Sequence, residues 1–229
     1  MDRSRLIENR KSVLQHIQQA AQRSGRPADA VRLVAVTKRR PVEQVAALVE
    51  LGELNLGENY PQELWEKVEA LPNPSIRWHL IGHLQGNKAK RTLPLVRLIH
   101  GVDSLKLLQT LDELAQGRID PPGVCLQVNI SAEASKYGWD EASLMDDSER
   151  ISQFGSIPVL GLMTIAGYGT DNETARPTFA RLRELRDRLR QTTGLALPEL
   201  SMGMSNDFEA AIEEGSTLVR VGSALFEGV

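Results

Sequence analysis

The chain has 229 residues, 41% hydrophobic and 25% charged, with 27 Lys+Arg against 30 Asp+Glu and a formal net charge of -3. This composition excludes a disordered or collagen-like chain, and the slight acidity gives no general reason to bind nucleic acid or an anionic membrane. The single cysteine, Cys125, sits in an apolar run and reads as a buried, inert thiol of a reducing, cytoplasmic setting.

Leu6, Val13, Leu14 and Ile17 recur at helical spacing and predict an opening helix over about residues 3–23, stopped by Gly25-Arg26-Pro27. That amphipathic start is not a secretory signal. The β-branched run 31–36 predicts a buried strand, and Pro41 opens a helix through Glu50. Further strands are predicted near 54–57, 77–82, 97–101, 124–130, 158–163, 199–202 and 218–221. Helices over 61–71, 87–93, 104–116, 141–154, 176–192 and 206–213 separate them. The longest nearly apolar stretch, 157–167, is far short of the roughly 20 residues that span a bilayer.

Eight strands with seven intervening helices match a small (β/α)8 TIM barrel, here with an extra N-terminal helix. A doubly wound open sheet is the competing α/β architecture. The count of eight and the lack of a dinucleotide fingerprint favour the barrel, and no linker divides residues 1–229.

A barrel carries its site at the C-terminal ends of its strands. Period-2 alternation puts Val34, Val36 and Lys38 on one face, so Lys38 points into the mouth if the valines fill the barrel. An amine at the rim of an apolar cavity loses some preference for its charged form and becomes available for a Schiff base. A solvated lysine beside Arg39 and Arg40 is the competing reading. After the seventh and eighth strands, Ser201-Met202-Gly203-Met204-Ser205-Asn206 and Arg220-Val221-Gly222-Ser223 are rich in small residues and hydroxyls. Such loops let backbone N–H groups approach phosphate oxygens, although small residues also make ordinary turns. A phosphorylated carbonyl compound held by Lys38 is the economical hypothesis, and pyridoxal phosphate fits both ends.

The sequence also resembles the pyridoxal-phosphate-binding homeostasis proteins (the YggS/PROSC family, with PipY-like members) nearly end to end, from Leu33 to Phe226. The resemblance is carried by Val34-Ala35-Val36-Thr37-Lys38, Gly57-Glu58-Asn59-Tyr60, Trp78-His79-Leu80-Ile81-Gly82-His83-Leu84-Gln85-Gly86-Asn87-Lys88 and Val128-Asn129-Ile130 with Lys136 following. Gly161-Leu162-Met163-Thr164, Leu200-Ser201-Met202-Gly203-Met204-Ser205 and Val219-Arg220-Val221-Gly222 complete it. Only the tail departs, with Glu227 where related chains more usually run Phe-Gly.

The resemblance implies one barrel like the alanine racemase N-terminal domain (fold type III), with pyridoxal 5'-phosphate as an internal aldimine on Lys38. It implies a monomeric carrier or homeostasis factor, with no settled catalytic reaction, that influences amino-acid and keto-acid balance. Apo enzymes that use pyridoxal phosphate would be its recipients. Arg220 is expected to face the pyridine nitrogen, where a guanidinium only donates and so weakens the ring as an electron sink. Gly222 and Ser223 would offer N–H groups to the phosphate, and Ser205 a hydroxyl, with Ser201 nearby. Asn59 would contact the ring or stabilise a turn, and Met163 would pack near the ring or in the core.

His79 and His83 share a strand face with residue 81 and line the cavity or serve as structural histidines; a zinc site is disfavoured because no ligand cluster completes it. Gln85, Asn87 and Lys88 suit a polar loop at the rim, and Lys136 is a loop lysine or a secondary amine. The six arginines of 176–190 alternate with an apolar stripe of Phe179, Leu182, Leu185 and Leu189, which fits a solvated outer helix better than a nucleic-acid surface. The rival reading is a racemase-like enzyme using the same cofactor; such enzymes add a C-terminal β-domain and a catalytic tyrosine, and Tyr60, Tyr137 and Tyr168 are the only tyrosines here. A regulator acting through protein contacts is a third class.

Overall fold

In the computed structural model, which describes residues 1–131, 137–167 and 171–229, eight parallel strands close into a barrel in sequence order. They are β1 (Arg32–Val36), β2 (Asn55–Glu58), β3 (Arg77–His83), β4 (Leu98–Val102), β5 (Gly123–Gln127), β6 (Val159–Met163), β7 (Glu199–Ser201) and β8 (Leu218–Val221). The first and last strands pair in register, Arg32 with Leu218 through Ala35 with Val221, which closes the ring. Around it run α1 (Arg3–Arg23), α2 (Val42–Glu50), α3 (Pro61–Ala70), α4 (Gly86–Thr92) and α5 (Leu105–Ala115). Then follow α6 (Glu141–Asp146), α7 (Ser148–Ser152), α8 (Asn172–Thr193) and α9 (Phe208–Glu213).

Alternation along the strands builds two apolar layers. Residues facing outward pack under the helices, whereas Val34, Val36, Ile81, Leu98, Cys125, Met163 and Leu218 fill the barrel. Helix α1 is an addition to the eight-fold unit. It buries Leu6, Val13, Ile17, Ala20 and Ala21, and Asn9 donates to the Leu225 and Glu227 carbonyls, tying down the C-terminal tail.

The largest departures from the expected boundaries each have a local reason. The helix expected over 141–154 breaks at Asp147, whose carboxylate accepts the Trp139 indole N–H at 2.9 Å. The strand expected over 124–130 ends at Gln127, and the chain leaves the sheet after Val128, because Asn129 N–H donates to Trp139 and Trp139 N–H to Gln127. Helix α8 starts earlier than residue 176: a capping box between Asp171 and Thr174 satisfies its first N–H groups, and Pro177 is accommodated inside it.

Candidate functional site

Val34 and Val36 face the barrel interior, so alternation brings Lys38 to the mouth, where a cavity of about 450 Å3 opens at the C-terminal strand ends. Lys38 lines it, exposed, and among the described residues makes no hydrogen bond or ion pair. Its backbone is held from behind. The buried Lys67 ammonium donates to the Thr37 carbonyl and to Glu58 Oε1, both at 2.7 Å, and the Thr37 hydroxyl donates to the same carboxylate oxygen. Burial raises the Glu58 pKa despite these donors, and among the described residues Oε2 has no partner. On the far side of Lys38, Arg39 takes a left-handed φ of 58°, an uncommon conformation for a residue with a Cβ. Its N–H donates to Glu63 Oε2 at 2.9 Å, which holds that turn.

Asn59 follows β2 on the cavity wall, beside Ile81 of β3. A Cβ at Gly82 would lie 2.2 Å from the Asn59 carbonyl oxygen, so only glycine lets β3 pass this close. Across the cavity, Ser205 Oγ accepts the Gly222 and Ala224 N–H groups, both at 3.3 Å, and Ser223 completes that rim. Gly203 makes the turn beneath Ser205 with φ 94°; a Cβ there would lie 2.6 Å from the Ala211 methyl. Asp207 accepts Met204 N–H at 2.6 Å, and α9 begins only after it, at Phe208. The helix expected from about residue 206 is therefore shorter.

Arg220 lines the cavity yet is only 4% exposed. Its guanidinium donates to Ser201 Oγ at 2.6 Å and to the Thr164 carbonyl at 2.9 Å. Burial pushes its pKa down to about 10, with Asp207 opposing, so it remains charged at neutral pH. Ser201 Oγ stands 2.6 Å from His100 Nδ1, and His100 Nε2 stands 2.9 Å from His79 Nδ1. Burial, aided by the fields of Arg32, Arg77 and Arg97, holds the His79 pKa down to about 3; burial also holds His100 well below its ordinary value. Both rings are neutral near pH 7.

The structure thus brings Lys38, Asn59, Ser205, Arg220, Gly222 and Ser223 around one cavity. His79, Met163 and Ser201 do not line it: Met163 lies in the inner apolar layer, while Ser201 and His79 belong to the polar chain that begins at Arg220. His83 does not follow Ile81 into the cavity, because a bulge in the β3–β4 pairing breaks the alternation. It bonds Asp103 at 2.7 Å and stacks on Tyr137 at the rim. Lys88 and Asn87 fall in α4, which starts at Gly86. Lys136 and Tyr168 lie outside the described residues.

The arginines of α8 find their acids within the chain: Arg176 pairs with Glu213 at 2.7 Å and Arg188 with Glu141 at 2.9 Å, while Arg183 meets Glu214 and Arg181 also reaches Glu141. Cys125 is fully buried, and burial raises its thiol pKa. Sequence reasoning missed Glu58, Lys67, Thr164 and His100. Glu58 stood inside a quoted motif, and alternation from Leu98 would have pointed His100 inward, but nothing in the sequence announces that Lys67 reaches the end of β1.

The sequence matches the family described as alanine racemase, N-terminal domain, over residues 9–228. A pyridoxal phosphate homeostasis protein of Aquifex aeolicus is 41% identical over 219 residues, covering 96% of each chain. The solved structure of PipY of Synechococcus elongatus with PLP bound superposes with a TM-score of 0.81 at 38% identity, covering 92% of this chain and 99% of that one. An alanine racemase of Bartonella henselae gives 0.75 at 15% identity, with all of this chain on 60% of that one, a likeness of fold alone.

Proposed function

Because the chain belongs to the alanine racemase N-terminal domain family, and within it to the pyridoxal phosphate homeostasis proteins, we propose that it holds pyridoxal 5'-phosphate in the cavity between Lys38 and Ser205. The observation that carries this reading is one cavity with an unpartnered amine on one wall and converging N–H groups on the other. When bound, the group supplies an electrophilic aldehyde that a lysine amine can capture reversibly.

The geometry supports a role for each of the chain's residues. The network of Thr37, Glu58 and Lys67 fixes the base of Lys38, leaving the flexible ammonium arm free to reach the aldehyde end. Gly222 N–H and Ala224 N–H already converge on an oxygen, that of Ser205, so the same rim suits phosphate oxygens. Ser223 adds a hydroxyl there. Arg220 has two of its donors committed to Ser201 and Thr164, which locks the guanidinium plane. Arg220 would hold the ring end of the group, where a charged side chain that only donates would favour an unprotonated ring and restrain carbanion chemistry. Asn59 closes the side wall.

The same reading takes residues 1–229 as one cofactor-binding domain acting as a monomer in the cytoplasm, holding vitamin B6 aldehyde for apo enzymes that require it. An open mouth with an exposed lysine supports exchange over a water-excluded reaction.

The test is the visible spectrum of protein given pyridoxal phosphate, followed by borohydride reduction and peptide mapping. A yellow protein modified at Lys38 is expected. A colourless protein, or a label spread over surface lysines, overturns the reading.

A further inference from the structure

A second cavity, of about 300 Å3, lies at the opposite end of the barrel, at the N-terminal ends of the strands. Arg32, Arg77, Arg97, Asn55, Glu199 and His79 stand on its walls. Arg32 pairs with Glu199, whose other oxygen accepts the Thr217 hydroxyl. Among the described residues the Arg97 guanidinium reaches only Asp120, at 3.4 Å and with that carboxylate 86% exposed. The Arg77 guanidinium has no hydrogen bond or ion pair among the described residues. Three guanidinium groups against one carboxylate leave this wall with an excess of positive charge that matches a dianion.

The donor that completes the site is set from the other end of the barrel. Arg220 has only protons to give, so Ser201 Oγ accepts from it. The serine's own proton then goes to His100 Nδ1, its only other hydrogen-bond neighbour among the described residues. A neutral His100 therefore carries its proton on Nε2 and donates it to His79 Nδ1. By the same step His79 is protonated on Nε2. That atom is buried, on a residue that is 4% exposed and lines the lower cavity, and among the described residues it has no hydrogen-bond partner. An orphaned buried donor is costly, and an anionic acceptor is the group that best removes that cost here.

We infer that the lower cavity is a binding site for a small phosphate-type dianion, held by Arg77, Arg97 and Arg32 and accepting a hydrogen bond from His79 Nε2–H. This site is distinct from the one around Lys38 and does not depend on what that cavity holds.

The experiment uses full-length protein with 15N-labelled histidine. Only four histidines are present, and His16→Gln and His83→Gln variants identify the exposed two. Inorganic phosphate is titrated at constant ionic strength with chloride as the balancing anion. The expected results are a protonated His79 Nε2, a saturable shift of that resonance, and a midpoint at least about tenfold weaker in Arg77→Ala, the loss of one charge-assisted contact. Ser205→Ala, on the upper rim, should leave the midpoint unchanged. The inference is overturned by an unprotonated His79 Nε2, by a shift that chloride reproduces, by a midpoint that Arg77→Ala leaves alone, or by one that Ser205→Ala weakens.

Discussion

The Arg220 guanidinium and the Ser201 hydroxyl meet at 2.6 Å between neighbouring strands β7 and β8, and neither side chain is exposed. Ser201 is thereby the joint between the cavity floor and the buried histidine pair. Ser201→Ala strands a charged donor and His100 Nδ1 together. We expect a loss of about 2–4 kcal/mol in urea unfolding, from two orphaned groups, with partial recovery in Ser201→Thr. An unchanged urea midpoint would contradict the hydrogen-bond assignment.

Lys67→Met removes the only cation among the described residues that touches Glu58, which is fully buried. Breaking one side of such a pair costs about 3–5 kcal/mol while the remaining group is charged. Burial already raises the Glu58 pKa, so protonation relieves part of this loss in acid. The variant should consequently be less destabilised relative to wild type at pH 5 than at pH 8. Equal penalties at both pH values would show that Glu58 is not the group left behind.

The histidine pair makes stability depend on pH with a defined sign. His79 and His100 bind protons more weakly in the folded chain than in the unfolded chain. Their contribution is therefore fully present above the ordinary histidine value of 6.5 and declines as the pH falls, for His79 toward its folded value of about 3. Between pH 7.5 and 5.5 the two should together cost about 2–3 kcal/mol, measured by denaturant midpoints before most carboxylates titrate. A flat profile over that window would mean that the rings are hydrated or charged in the folded state.

At the upper cavity, Lys38→Ala should keep the circular dichroism and melting temperature of the parent while abolishing the yellow band. Ser205→Ala removes the oxygen on which Gly222 and Ala224 N–H converge, and should speed loss of pyridoxal phosphate in dialysis by about tenfold, one charge-assisted hydrogen bond. Retention equal to the parent would put the phosphate elsewhere.

Gly82→Ala probes how tightly β2 and β3 pass each other. Its methyl would lie 2.2 Å from the Asn59 carbonyl, backbone that cannot rotate away. A stability loss of about 1–3 kcal/mol is expected, together with weaker cofactor retention as Asn59 is displaced. Wild-type stability would require the β2–α3 turn to be softer than its packing implies.

The strand count, the alternation that aims Lys38 at the mouth, and the small residues of 201–206 and 220–223 were all readable from the chain, because each depends on spacing within one segment. Where alternation was extended past an irregularity it failed: His83 leaves the face of Ile81 at a bulge, and after Val128 the chain leaves the sheet, with Asn129 turning to Trp139. Neither event has a signature inside its own strand, since each is decided by the partner.

The amino-acid order by itself determined the barrel, its register of inward and outward residues, and the amine and small-residue loops at its upper rim. The tertiary structure alone decided that Ser201, His100 and His79 join Arg220 in one buried chain, that Lys67 reaches back to Thr37, and that three arginines face each other below. Those contacts link residues 19 to 101 positions apart, and only closure of the ring sets which side chains meet.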